Sequence, residues 1–137
     1  MKHCKLIILL LMSGIGLLGS SCEKKDVDID LTSEDWKVEK IRKSGKLIFT
    51  STDSTYILEF TSDEAYRLDL DVNTCIGLYE IAQKGSIEFQ AMACTKICCD
   101  TEFAMDLSGL FPKMTGYYIR DNKLHFEGDG EIILQPL

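Results

Sequence analysis

Residues 73–94 read NTCIGLYEIAQKGSIEFQAMAC, and this stretch decides the fold. Tyr79 and Ile81 flank a polar Glu80, a turn follows at Lys84-Gly85, and Ile87 and Phe89 flank Glu88. Apolar residues at every second position mark half-buried strands, and a glycine between two such runs marks a hairpin. Closing the chain on that turn sets Tyr79 opposite Phe89 and Ile81 opposite Ile87. Such cross-strand pairs are what stabilise a sheet. The same register brings Cys75 and Cys94 to the open end of the hairpin, within reach of one another.

The period of two continues on both sides. Upstream it appears in Trp36-Lys37-Val38-Glu39-Lys40-Ile41, in Leu47-Ile48-Phe49 after a Ser44-Gly45 turn, in Tyr56, Leu58 and Phe60, and in Tyr66, Leu68 and Leu70. Downstream, Phe103, Leu107, Leu110 and Phe111 have helical spacing instead. Asp100 is the expected N-cap, Glu102 favours the positive end of the helix dipole, and Gly109 and Pro112 stop the helix. Tyr117 and Ile119 then face Phe126 and Leu124 across an Asp121-Asn122 turn. Gly128-Asp129-Gly130 leads into a last strand, Glu131 to Leu134. The sum is a mainly β (α+β) domain, a small antiparallel barrel or strongly curled sheet of about nine strands with one inserted helix. There is no internal repeat and no second domain.

The N-terminus reads differently. Lys2, His3 and Lys5 precede the apolar run Leu6 to Leu18, whose 13 residues fall short of the roughly 20 that a spanning helix needs. The run has the size of a signal-peptide core followed by small residues. Leu18-Gly19-Ser20-Ser21-Cys22 resembles a lipobox, so Cys22 is the expected lipidation site and palmitate-type acyl chains the expected anchor. The expected division is a signal peptide over residues 1–21, the lipidated Cys22 with a solvated tether over 22–35, and the β-rich domain over 36–137. Asp26, Asp28 and Asp30 alternate in the tether but lack the glycine and glutamate of a calcium loop. Removing Lys2 and Lys5 leaves 13 basic against 22 acidic side chains, a net charge of −9. An acidic surface repels phosphate backbones, so nucleic acid is not an expected partner.

Four cysteines follow the anchor: Cys75, Cys94, Cys98 and Cys99. In an oxidising compartment an even number in a small domain implies disulfides, here with three connectivities. The hairpin register favours Cys75–Cys94, worth roughly 3 kcal/mol through loop closure. Cys98 and Cys99 are then left to each other or free. The alternatives join Cys75 to one of that pair and Cys94 to the other. Cys94, Cys98, Cys99 and Asp100 with Cys75 nearby could also hold tetrahedral zinc. The paired Cys-x2-Cys spacing is absent and exported thiols oxidise, so no metal and no cofactor is expected.

Catalytic patterns are sparse. His125 lies between inward-facing Leu124 and Phe126 and is expected to face solvent, without a G-x-S-x-G elbow anywhere in the chain. Asp69 and Asp71 share one strand face, a weak match to the paired carboxylates of glycoside hydrolysis. No phosphate-binding glycine fingerprint occurs over residues 36–137. An enzyme is not expected.

Asn73-Thr74-Cys75-Ile76-Gly77-Leu78-Tyr79 resembles the Gly-Cys-Asn…Gly-x-Tyr stretch of META domains, the family that contains the heat-shock protein HslJ. Met92-Ala93-Cys94 resembles the family's Met-Ala-Cys segment. Glu102, the Phe-rich helix ending near Leu110, the Tyr117 to Leu124 hairpin and the opening Trp36 follow in the same order, over about Glu34 to Leu137. Cys98-Cys99 is an addition to that pattern. The resemblance implies a small β-rich fold in an exported bacterial protein linked to stress, antibiotic tolerance or virulence, with no shared catalytic residues to carry over. The expected role is therefore a non-enzymatic envelope lipoprotein, membrane-bound through its lipid and acting by protein contact or in envelope stress. Two alternatives stand beside it. One is a lipocalin-like carrier of a small apolar ligand, lined by Tyr56, Tyr66, Tyr79, Phe89 and Tyr117. The other is an inhibitor of an exported hydrolase presenting the loop Thr95 to Asp100. The expected location is the cell envelope, lipid-anchored at the outer membrane on its periplasmic or surface face.

Overall fold

The computed structural model describes residues 25–61 and 64–137; the expected signal peptide and Cys22 lie outside the described residues. The strands are β1 (Trp36–Lys43), β2 (Thr50–Ser51), β3 (Ile57–Phe60), β4 (Ala65–Asp69), β5 (Thr74–Gln83), β6 (Ser86–Phe89), β7 (Ala93–Cys94), β8 (Met114–Arg120), β9 (Lys123–Gly128) and β10 (Gly130–Pro136). One helix, α1 (Glu102–Leu110), lies between β7 and β8. Every neighbouring pair is antiparallel, in the order β1, β3, β4, β5, β6, β8, β9, β10. β10 then pairs with β1, Trp36 opposite Pro136 and Lys43 opposite Gly130, which closes an eight-stranded barrel. β2 and β7 are short additions beside β1 and β5. Closure leaves no long unpaired edge, the usual liability of a small sheet.

Two-residue turns set much of the register. Asp121 and Asn122 both have positive φ, 53° and 59°, and join Arg120 to Lys123. Asn and Asp tolerate this conformation, and its twist matches a hairpin. Gly85, at φ 80°, does the same between Gln83 and Ser86. Gly77 has a different reason. It lies opposite Tyr66, whose ring covers the bare backbone so closely that an added Cβ would sit 2.6 Å from the hydroxyl oxygen. An aromatic ring thus shields a strand glycine.

The interior is filled by rings. Phe60, Tyr66, Tyr79, Phe89, Phe111 and Phe126 are buried and stack edge-on or tilted, from 4.3 Å between Phe89 and Phe111 to 6.4 Å between Phe60 and Phe89. Burial without a hydroxyl partner pushes the Tyr66 phenol up to about 12. α1 closes one end with Ala104, Leu107 and Leu110. Leu31 closes the other, its carbonyl accepting from the Trp36 indole at 3.2 Å.

The structure corrects four expectations. Leu47-Ile48-Phe49 is not a strand but part of an exposed loop, because the contiguous apolar run has no alternation and β2 takes the adjacent edge of β1 one step later. A bulge between Glu80 and Gln83 turns Ile81 outward, so it does not face Ile87. Thr101, not Asp100, caps α1, its hydroxyl accepting from the Ala104 N–H. The stretch expected as a solvated tether is docked from Asp26 onward, where Asp26 bridges to Ile119 and Ile29 and Leu31 turn inward. Its apolar side chains are few, but they fall at alternate positions, Val27, Ile29 and Leu31. That is enough to dock it, through one bridge at Asp26 and a short 3-10 turn at Leu31–Ser33.

Candidate functional site

The chain enters at one end of the barrel, beside Ile119, Asn122 and Trp36. The features capable of meeting something else gather at the other end. There the loop Ser44 to Phe49 rises from β1 and faces α1. Leu47 is 92 % exposed and Ile48 82 %. A cleft of about 550 Å³ lies between loop and helix, its apolar wall made by Ile41, Leu47, Ile48 and Phe103. Its rim carries Lys43, Lys46, Glu102 and Asp106. The loop is held at its base: Lys43 Nζ meets Asp106 Oδ2 at 2.7 Å, and the Arg42 guanidinium lies 4.9 Å from the Phe49 ring centre. Phe103 stacks on Tyr56 at 5.4 Å, fixing the far wall.

The second feature is the segment Cys94 to Thr101. Cys75 and Cys94 are opposite in register and disulfide-bonded, as the hairpin alignment suggested. Asn73, only 7 % exposed, organises the rest of the segment. Its amide oxygen accepts from the Ile97 N–H at 2.7 Å and the Thr95 hydroxyl at 2.9 Å. Its amide nitrogen donates to the Ile97 carbonyl at 2.7 Å and to Asp100. Asp71 accepts from the Thr101 N–H at 3.0 Å and from the hydroxyls of Thr101 and Tyr56. Those donors, the backbone N–H foremost, hold the Asp71 carboxyl below the usual carboxylate range. Cys98 and Cys99 are left exposed and free at the crest.

The other candidates have structural employment. Asp69 accepts from Arg67 Nε at 3.0 Å and the Thr74 hydroxyl at 2.8 Å. A glycosidase acid needs a carboxyl raised in an apolar pocket; Asp71 is shifted the opposite way. His125 corrects its expectation: it points outward but is only 7 % exposed. Its cross-strand neighbours Tyr118 and Ile133 are themselves buried, the Tyr118 ring stacks on it at 4.8 Å, and Nδ1 lies 3.1 Å from Glu131 Oε1. Alternation predicts the face of a strand, not what covers that face. Cys94 is spent in a disulfide, so the thiol set for zinc is not assembled. Among the described residues no group of three or more His, Cys, Asp or Glu could hold a metal ion. Of the rings expected to line a carrier, Tyr66, Tyr79, Phe89 and Tyr117 sit within the packed core, and Tyr56 is buried against Phe103 and Asp71.

Sequence reasoning missed the loop-and-helix cleft. The signal was present in Lys46-Leu47-Ile48-Phe49, whose apolar run without a polar alternate fits neither a half-buried strand nor a solvated loop.

A closed eight-stranded antiparallel barrel with two added strands and one helix, tied by a disulfide beside the helix end, defines the class. The META domain family model matches residues 29–135, and the chain belongs to that family. An NMR structure of a protein from Burkholderia xenovorans is similar, with a TM-score of 0.59 at 12 % identity over 78 % of this chain and 83 % of that one. A crystal structure of a DUF4847 family protein from Bacteroides vulgatus has a TM-score of 0.56 at 13 % identity, over 77 % of this chain and 93 % of that one. At such identities the likeness concerns the fold. No curated protein matches the sequence.

Proposed function

We propose that this is an envelope lipoprotein, anchored through Cys22, whose META domain works by contact with another envelope protein rather than by catalysis. One observation carries the reading. The barrel interior is occupied by its own rings, while Leu47 and Ile48, the two most exposed aliphatic side chains among the described residues, stand over an apolar cleft on the outside. Burying such a side chain is worth about 1.5–3 kcal/mol, which a covering partner recovers. The occupant that fits a cleft with apolar walls and a mixed-charge rim is a short extended segment with alternating apolar side chains.

The anchor gives this geometry a direction. Cys22 precedes Lys25 by three residues, and the chain docks from Asp26 at the end opposite α1. A lipid there holds the entry end towards the membrane and presents the loop-and-helix end away from it.

A photo-crosslinking amino acid at position 47 tests the contact in intact cells. A discrete cross-linked partner is expected, with none from position 88 on the barrel wall. Absence of a light-dependent product at position 47 overturns the reading. A product from position 96 instead favours the hydrolase inhibitor that presents Thr95 to Asp100. Saturable binding of an apolar fluorescent probe, lost on Phe103→Asp, favours a carrier using the outer cleft. Separately, Cys22→Ser should release the protein into the soluble fraction, and retention on the membrane removes the anchor.

A further inference from the structure

We propose that Cys98 and Cys99 form a redox-active vicinal dithiol, which closes to a disulfide between neighbouring residues by exchange with low-molecular-weight or protein disulfides. The inference rests on geometry. The two sulfurs lie 2.7 Å apart, so bonding at about 2.05 Å needs a movement of under about 1 Å. What brings them together is the backbone. Cys99 has φ 89°, a conformation that a residue with a side chain rarely adopts and that persists only where its surroundings enforce it.

The surroundings do so from both sides. Ile97 is clamped through its N–H and its carbonyl by the buried Asn73. Asp100 is clamped by the same amide and by the Val72 N–H at 3.1 Å, and Thr101 is tied to Asp71. Cys98 and Cys99 are thus a two-residue crest between fixed posts, both exposed to any reagent in solution. Cys75, by contrast, has no exposure at all, so the Cys75–Cys94 bridge can be reached from solution only on its Cys94 side. Consecutive Cα atoms in a trans chain are about 3.8 Å apart, and Cys75 and Cys94 are 4.0 Å apart, both shorter than the usual 4.4–6.8 Å, so what separates the two bridges is that Cys75 is buried and neither Cys98 nor Cys99 is. Exposed, compressed bridges are the labile ones.

The step balances with a disulfide as oxidant. Cys99 donates its S–H towards the Cys98 sulfur and so keeps its proton, which leaves Cys98 to attack. The Cys98 sulfur, as thiolate, displaces one thiolate from oxidised glutathione and forms a mixed disulfide. Cys99 then gives up its proton, attacks the Cys98 sulfur and displaces the second glutathione. The two cysteines lose two electrons and two protons, and one oxidised glutathione becomes two reduced molecules.

The test uses the purified protein equilibrated with graded mixtures of reduced and oxidised glutathione, acid-quenched and alkylated. Trypsin cuts after Lys96 and Lys113, so the peptide Ile97–Lys113 carries Cys98 and Cys99 and no other cysteine. Under oxidising mixtures this peptide should lose both alkyl labels and two hydrogens. It should recover the labels at a reduced-to-oxidised glutathione ratio at least about tenfold lower than the ratio that opens Cys75–Cys94. Cys99→Ser should instead retain one glutathione on Cys98. A peptide doubly labelled in every mixture, doubly glutathionylated, or opening together with Cys75–Cys94 overturns the proposal.

Discussion

At the end where the chain enters, Leu31 lies over the core, Trp36 bonds to its carbonyl, and two-residue turns at Lys84-Gly85 and Asp121-Asn122 hold the strands. At the opposite end two of the connections are long. Ser44 to Phe49 stands clear of the barrel, and Gln90 to Thr101 wanders past β7 before α1 begins. The entry end is sealed by apolar burial. The helix end is also closed by apolar side chains of α1, but its two long connections are held by point contacts: a disulfide, the Asn73 and Asp71 clamps and the Lys43–Asp106 pair. Short turns and packed rings leave little to bind. Long connections pinned at a few atoms leave side chains free to meet a partner or a reagent, so the difference teaches where function is carried.

The contrast breaks first at Trp36. Trp36→Ala removes a buried ring and the indole bond to Leu31, and should cost about 3–5 kcal/mol. Urea unfolding followed by circular dichroism measures it; a loss below about 1 kcal/mol would mean the entry end is not what seals the core. Asn73→Ala comes next. It strips the Ile97 N–H and carbonyl, the Thr95 hydroxyl and Asp100 of their partner, at about 2–3 kcal/mol. Its effect should also be local, with trypsin cleavage after Lys96 accelerating while the barrel remains folded. Uniform destabilisation without faster cleavage there would deny the clamp.

Much of the strand and helix pattern was legible in the sequence, because its rules are short-range. The Asp121-Asn122 hairpin and the pairs Tyr117–Phe126, Ile119–Leu124 and Tyr79–Phe89 follow from turn chemistry and alternation. The helical stripe ending at Leu110 and Phe111 follows from spacing, and Cys75–Cys94 from register. Features that depend on distant contacts were harder. Nothing local announces the bulge that expels Ile81, or that Asn73 reaches across 24 residues to hold Ile97. His125 shows the same limit, since its covering by Tyr118 and Ile133 depends on two neighbouring strands. Alternation assigns a face. Only closure decides what lies upon it.

The smallest expected effect is the sharpest for function. Leu47→Ser combined with Ile48→Ser changes two side chains already in water, so stability should move by no more than about 0.5 kcal/mol. If the loop exists to fold the domain, that substitution would cost the about 1.5–3 kcal/mol per side chain that burial is worth. If it exists to be covered by another protein, the unfolding curve stays in place. The partner captured in a pull-down from envelope extract through the wild-type loop should then be lost. An unchanged partner together with an unchanged unfolding curve would place the contact on some other face of the barrel.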